Sequence, residues 1–225
     1  MNTSFFLIII IGVAGLIVQG RLQSVFRKYS RVCFPGGYTG KDVAERMLHD
    51  HGIYDVKVVS TRGHLTDHYN PATRTVNLSE SVYSSSSMAA AAVAAHECGH
   101  AVQHAQGYAP LRMRSALVPI IQFSSNLSTW VIILGIVLIN SLPAIFWVGI
   151  AMIAASALFS VITLPVEYDA SARALAWLEG TGIVSPEDMK GARVPLRWAA
   201  RTYLVAALSA IATLLYYLDF VRSND

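Results

Sequence analysis

Two histidines four residues apart, with a glutamate directly after the first, stand at His96, Glu97 and His100 inside the alanine-rich run 88–104. At about 100° of rotation per residue, a helix brings His96 and His100 to within roughly 40° of each other and one turn apart, so both imidazoles reach one ion. Glu97 leaves the same helix rotated off the metal, where its carboxylate can take a proton from an attacking water instead of binding the ion. This H-E-x-x-H pattern is a known signature of zinc hydrolysis. It predicts Zn²⁺ as cofactor, His96 and His100 as metal ligands and Glu97 as the catalytic base. A catalytic zinc of this kind needs a third protein ligand and keeps one position open.

The flanking residues can build the helix. Ser84 to Ser87 offer N-caps, Met88 to Ala95 are mostly strong helix formers, and Gly107 with Pro110 supplies a stop, so the metal helix is expected over about 88–106. Alanine, Cys98 and Gly99 around the histidines leave room for another element to approach.

Where the third ligand lies depends on how the chain meets a membrane. The sequence is 54% apolar and only 14% charged, with a mean hydropathy of +0.46, which is an integral-membrane balance. Four segments are long enough to span: 5–18, extendable to 2–20 without a charge, then 116–140, 144–164 and 202–220. The second carries a polar patch from Gln122 to Thr129 that suits protein or water better than lipid. Met1-Asn2-Thr3-Ser4 lacks the basic residues that open a signal peptide, and basic residues follow the first segment instead, so an uncleaved anchor is expected. Residues 21–115 hold eleven Lys or Arg and residues 165–201 hold five, whereas the hairpin around Ser141 holds none. By the positive-inside rule both large loops are cytoplasmic and both termini lie outside.

This topology returns the third span to the face that carries the metal helix, immediately before Val166-Glu167-Tyr168-Asp169-Ala170-Ser171. Glu167 is the preferred third metal ligand and Asp169 its competitor, two residues on and on a different helix face. Either carboxylate at a helix start can also serve only to complement the helix dipole. The expected organisation is an N-terminal transmembrane anchor over 1–20, a lobe with the metal helix over 21–115, and a transmembrane hairpin over 116–164. A loop and helix carrying the third ligand follow over 165–201, then a C-terminal transmembrane helix and tail over 202–225.

The run His96 to His104, the stretch Leu65 to Pro71 and the run Val166 to Ser171 together resemble the YugP-like bacterial membrane neutral zinc metallopeptidases, over nearly the whole chain. More distantly, the order H-E-x-x-H, membrane hairpin, glutamate is similar to the HtpX and CAAX prenyl protease gluzincins. That likeness implies that Glu167 is the third ligand. Those enzymes usually carry Glu-x-x-x-Asp, whose Asp supports a histidine ligand, but Ser171 stands at that place here. The partner that orients the histidines is thereby left open.

The first loop also reads like a small zincin lobe. A helix over 40–51 behind Thr39, a strand over 56–60, and strands over 63–69 and 74–78 joined by the turn 70–73 precede the metal helix. By analogy with related zincins, the hairpin through Tyr69 and Val76 is the candidate edge for holding an extended peptide.

Other residues carry less chemistry. His64 and His68 repeat the four-residue spacing on a strand, where two imidazoles do not converge. His104 sits one turn past the motif, able to donate to a carboxylate or an oxyanion or to serve only as an interfacial residue. Arg173 and Arg201 can stabilise an oxyanion or simply anchor a membrane boundary. Cys33 and Cys98 are expected to be reduced, with Cys98 in the core. The net charge of +3 comes without any basic cluster interleaved with aromatics, so no nucleic-acid partner is expected.

The fold expected is an α-rich integral membrane protein, with about four transmembrane helices and a small zincin-like α+β cytoplasmic lobe. The function expected is a membrane-embedded zinc metalloendopeptidase of the gluzincin type, in a bacterial inner or plasma membrane with its site on the cytoplasmic side. Its partners are a peptide or membrane-protein substrate and the lipid bilayer, with room for a membrane-protein complex. The alternatives are a membrane scaffold braced by structural zinc and a zinc hydrolase of a non-peptide membrane substrate.

Overall fold

The capping box at Thr39 starts the first amphipathic helix. The Thr39 hydroxyl accepts from the Asp42 amide, and the Asp42 carboxylate accepts from the Thr39 amide at 2.8 Å. Helix α2 (Gly40–Asp50) then buries Val43, Ala44, Met47 and Leu48, the apolar set that recurs at helical spacing. The computed structural model describes residues 3–222; Met1, Asn2, Ser223, Asn224 and Asp225, parts of the expected anchor and tail, lie outside the described residues.

The chain divides into two compact units, one of residues 1–17, 112–165 and 202–225, the other of residues 18–111 and 166–201. Four helices run through both: α1 (Thr3–Tyr29), α5 (Ala109–Val137), α6 (Pro143–Gly180) and α7 (Lys190–Arg222). Each is long and apolar enough to cross a membrane.

In the second unit, α2 is followed by a three-stranded sheet of β1 (Lys57–Thr61), β2 (His68–Asn70) and β3 (Thr75–Ser79), in the order β1-β3-β2. Strand β3 is central, parallel to β1 with Val58 opposite Val76, and antiparallel to β2 with Tyr69 opposite Val76. The turn between β2 and β3 is set by Asn70, whose side-chain oxygen accepts from the amides of Ala72 and Thr73 at 3.0 and 3.3 Å. Strand β2 is shorter than the expected 63–69, because Gly63 at φ 109° and Leu65 at φ 60° leave the extended region. Only β2 presents a free edge from the expected hairpin; Val76 is enclosed in the central strand.

A short helix α3 (Glu80–Tyr83) leads to α4 (Met88–Ala105), capped by the Ser87 hydroxyl on the Ala90 amide at 3.2 Å. Helix α4 is buried nearly all round, and its alanines let α2 and α6 approach closely. Its end is set by Gly107 at φ 66°, after which the chain enters α5. The later part of α6 packs Ala170, Ala174 and Leu178 into the same core.

In the first unit, α5 and α6 form an antiparallel hairpin. A Cβ on Gly135 would sit 2.5 Å from the Phe146 Cα, so the two backbones meet at that glycine. Ile132, Phe146 and Ile150 make its small core, with Tyr217 and Phe220 of α7 against them. The architecture is that of an α-rich membrane protein with a small α+β lobe.

Candidate active site

His96 and His100 project from one face of α4, their rings 4.8 Å apart at 79°. Each ring is gripped at Nδ1. Gln103, which is completely buried, has its side-chain oxygen 3.0 Å from His100 Nδ1, and Ser171 Oγ lies 3.1 Å from His96 Nδ1. The Gln103 amide group is oriented by two acceptors, donating from Nε2 to the Val166 carbonyl and to Asp169 Oδ2, both at 2.8 Å. That leaves Oε1 to accept from His100 Nδ1–H, so the His100 lone pair is at Nε2.

Both Nε2 atoms face Glu167. Glu167 Oε2 is 3.2 Å from His96 Nε2 and 3.6 Å from His100 Nε2, and one donor atom from each of the three residues falls within 4.8 Å of the others. Two imidazole nitrogens and a buried carboxylate are the donor types zinc takes, and the tautomer set at His100 leaves its outer nitrogen available, so the residues present fit a zinc ion. Among the described residues no second group of three such donors occurs.

Glu167 reaches the pair because α4 and α6 nearly touch. A Cβ on Gly99 would lie 2.5 Å from the Ala170 carbonyl oxygen, so only glycine permits this approach. The Gln103 bond to the Val166 carbonyl pins α6 one residue before Glu167. Pro165 does not end the helix; α6 continues through it, which places Glu167 mid-helix and removes the dipole role open to a residue at a helix start. Asp169 points elsewhere, accepting from Gln103 Nε2 and from Arg173 Nε.

Glu97 lies beside the cluster with its Oε2 accepting from the Tyr69 amide of β2 at 3.0 Å. Burial pushes its carboxyl up to about 7, the neighbouring His96 opposes the rise, and the Glu167 and Asp67 carboxylates add to it. The Tyr69 hydroxyl lies 2.6 Å from His104 Nδ1. One edge-strand residue thus holds both Glu97, through its backbone, and His104, through its side chain.

The remaining residues of interest are engaged away from the cluster. Arg173 pairs with Asp169 and donates to Gln106, and Arg201 lies over the Trp198 ring at 4.2 Å. Cys98 contacts the Ala44 carbonyl in the core, with burial pushing its thiol well up, and Cys33 is exposed and also free. His68 bonds the Thr66 carbonyl through Nδ1, and His64 is exposed on the loop before it. Sequence reasoning did not single out Gln103; its signal is its place three residues after His100, on the adjoining face of the same helix.

A sequence profile described as "Putative neutral zinc metallopeptidase" matches residues 4–222. The chain belongs to this family. It is also 40% identical, over 208 residues covering 92% of each chain, to the protein named "Putative membrane protease YugP" of Bacillus subtilis (strain 168). No solved structure matches. The family's description names the metal that the donor set fits, and with four apolar helices the chain is a multi-pass membrane protein.

Proposed function

We propose that this protein is a zinc metalloendopeptidase of the gluzincin type, with Zn²⁺ held by His96, His100 and Glu167 and with Glu97 as the general base. The observation that carries this reading is the convergence of both Nε2 atoms and the Glu167 carboxylate on one point beside the Glu97 carboxylate. A zinc ion held by these three residues would supply Lewis acidity to a peptide carbonyl and to a water. Glu97, largely shielded from solvent, takes the proton of the attacking water and delivers it to the departing amine nitrogen. The Tyr69 amide holds that carboxylate in place. The free edge of β2 begins beside it and holds an extended peptide by main-chain hydrogen bonds, a mode tolerant of substrate side chains.

Residues 21–115 and 165–201 form the catalytic lobe in this reading, and the basic residues of both loops favour its placement on the cytoplasmic face. The substrates are peptides or membrane proteins at that face. The test is digestion of casein and of a membrane-protein mixture by the full chain in lipid nanodiscs. Glu97→Gln is expected to keep zinc content and fold while lowering turnover by at least about a thousandfold, as loss of a general base and its positioning does. Cleavage at the unaltered rate by Glu97→Gln would remove Glu97 from the mechanism. Full zinc occupancy with cleavage of neither substrate would favour a structural ion or a non-peptide substrate.

A further inference from the structure

Strand β2 has little of its own to hold it in place. It is three residues long, pairs only with β3, and follows a loop whose Gly63 and Leu65 stand at φ 109° and 60°. Its start is tied to the end of β3 through Asp67, which accepts from the Ser79 amide at 2.7 Å and from the Ser79 hydroxyl at 3.1 Å. Its middle residue is tied to α4 twice. The Tyr69 amide donates to Glu97 Oε2 at 3.0 Å, and a hydrogen bond of 2.6 Å joins the Tyr69 hydroxyl to His104 Nδ1. Glu97 and His104 share one face of α4, two turns and about 10 Å apart along its axis, so Tyr69 fastens to that face at two heights. Among the described residues its hydroxyl has no other partner. The ring packs against the core but also borders an open cavity of about 320 Å³, lined further by Ile53, Val56, Ala101 and Ala105. Packing does not confine the ring on the cavity side, and the bond to His104 is what fixes it there.

We infer that His104 is a positioning residue for the reaction, acting through Tyr69 on Glu97. This rests on the reading of Glu97 as general base. A base works only within about 2.6–3.2 Å of the proton it takes, and a misplacement of about 1 Å can cost about a hundredfold in rate. Glu97 reaches out on a flexible side chain, and the Tyr69 amide selects one position for its carboxylate. That amide is only as well placed as the backbone of β2. With the hydroxyl anchored on His104, any slide of β2 along α4 strains a second bond, so the Tyr69 backbone and the Glu97 carboxylate keep one height. Among the described residues no bond joins His104 to Glu97 itself, so the influence runs through Tyr69.

The experiment measures casein cleavage by the full chain in lipid nanodiscs, together with zinc content, melting temperature and hydrogen exchange of β2. Tyr69→Phe keeps the ring and loses the hydroxyl, and His104→Leu removes the other partner. Each is expected to lower kcat by roughly ten- to a hundredfold with a smaller change in KM and with zinc content kept. The double variant should be no slower than the slower single variant, because both remove the same bond. His104→Asn, whose side-chain oxygen can stand near the place of Nδ1, should recover most of the loss. Exchange of the Tyr69 amide should quicken by roughly tenfold in both single variants, as its bond to Glu97 opens more often. Unchanged kcat in Tyr69→Phe and His104→Leu, with cleavage still abolished by Glu97→Gln, would overturn this inference and leave the peptidase reading standing. Losses that add in the double variant, a raised KM at unchanged kcat, or a lower melting temperature with kcat and exchange unchanged would equally overturn it. If the unaltered chain cleaves neither casein nor a membrane-protein mixture, the reading of Glu97 fails and this inference falls with it.

Discussion

Gln103 joins the two halves of the candidate site more directly than any other side chain. Its amide accepts from one proposed metal ligand and donates to the backbone next to another, and it also ties down Asp169. A neutral amide opposite His100 Nδ1 fixes the tautomer without the added basicity a carboxylate would confer. Gln103→Leu is therefore expected to lower zinc affinity by roughly ten- to a hundredfold, measured by competition with a chromogenic chelator. Gln103→Glu restores an acceptor and should recover part of that loss. Ser171 plays the corresponding part at His96, although the family likeness left that position open. Gln103 was not legible beforehand, because a glutamine is an ordinary residue until the ring nitrogen it faces is known; position 171 was marked by the likeness as the place of a histidine's support, but the serine there left that role open.

At the scale of elements, the crossing of α4 and α6 depends on Gly99. A methyl group there meets a backbone carbonyl, which cannot rotate aside as a flexible side chain can. Gly99→Ala is expected to force the helices apart and to destabilise the protein by about 1–3 kcal/mol, read as a lower melting temperature. It should also reduce zinc content, since Glu167 retreats with α6. Helix α4 itself was legible from its caps, its alanines and the glycine beyond it. Helix α6 was less so, because Pro165 reads as a break. The helix passes through it, as long helices packed on neighbours can. The edge strand was legible only in outline: the polar hairpin was visible, but which of its strands lies at the edge depends on β1 pairing with β3.

For the whole molecule, an ion joining α4 to α6 links binding to folding. Anything that binds the folded state alone raises its stability by RT ln(1 + [L]/Kd), about 2.7 kcal/mol at a hundredfold excess over Kd. Chelator-treated protein is expected to melt several degrees below zinc-loaded protein, and Glu97→Gln to show the same shift. Glu167→Ala should show little or none, and an undiminished shift together with undiminished zinc by elemental analysis would reject Glu167 as a ligand. Orientation in the membrane is open to a separate measurement. Cys33 is exposed and lies in the loop assigned to the cytoplasm, so a membrane-impermeant maleimide should label it in inverted vesicles and not in intact cells. Cys98, enclosed in the core, should remain unlabelled in both.

Local pattern alone determined the membrane class, the long apolar helices and the helical spacing of His96, Glu97 and His100, because hydropathy and the 3.6-residue period act over a few turns. It also narrowed the third ligand to Glu167 or Asp169. Which of the two stands beside the histidines depends on tertiary structure, on how α6 rotates against α4 at Gly99, a contact between residues some 70 positions apart in the chain; it is Glu167 that faces both Nε2 atoms. Tertiary structure also decided which nitrogen of His100 carries the proton, through a glutamine oriented by acceptors on α6. Spacing within one helix can bring two imidazoles together; completing the site needs a second helix held at the right height and rotation, and only packing supplies that.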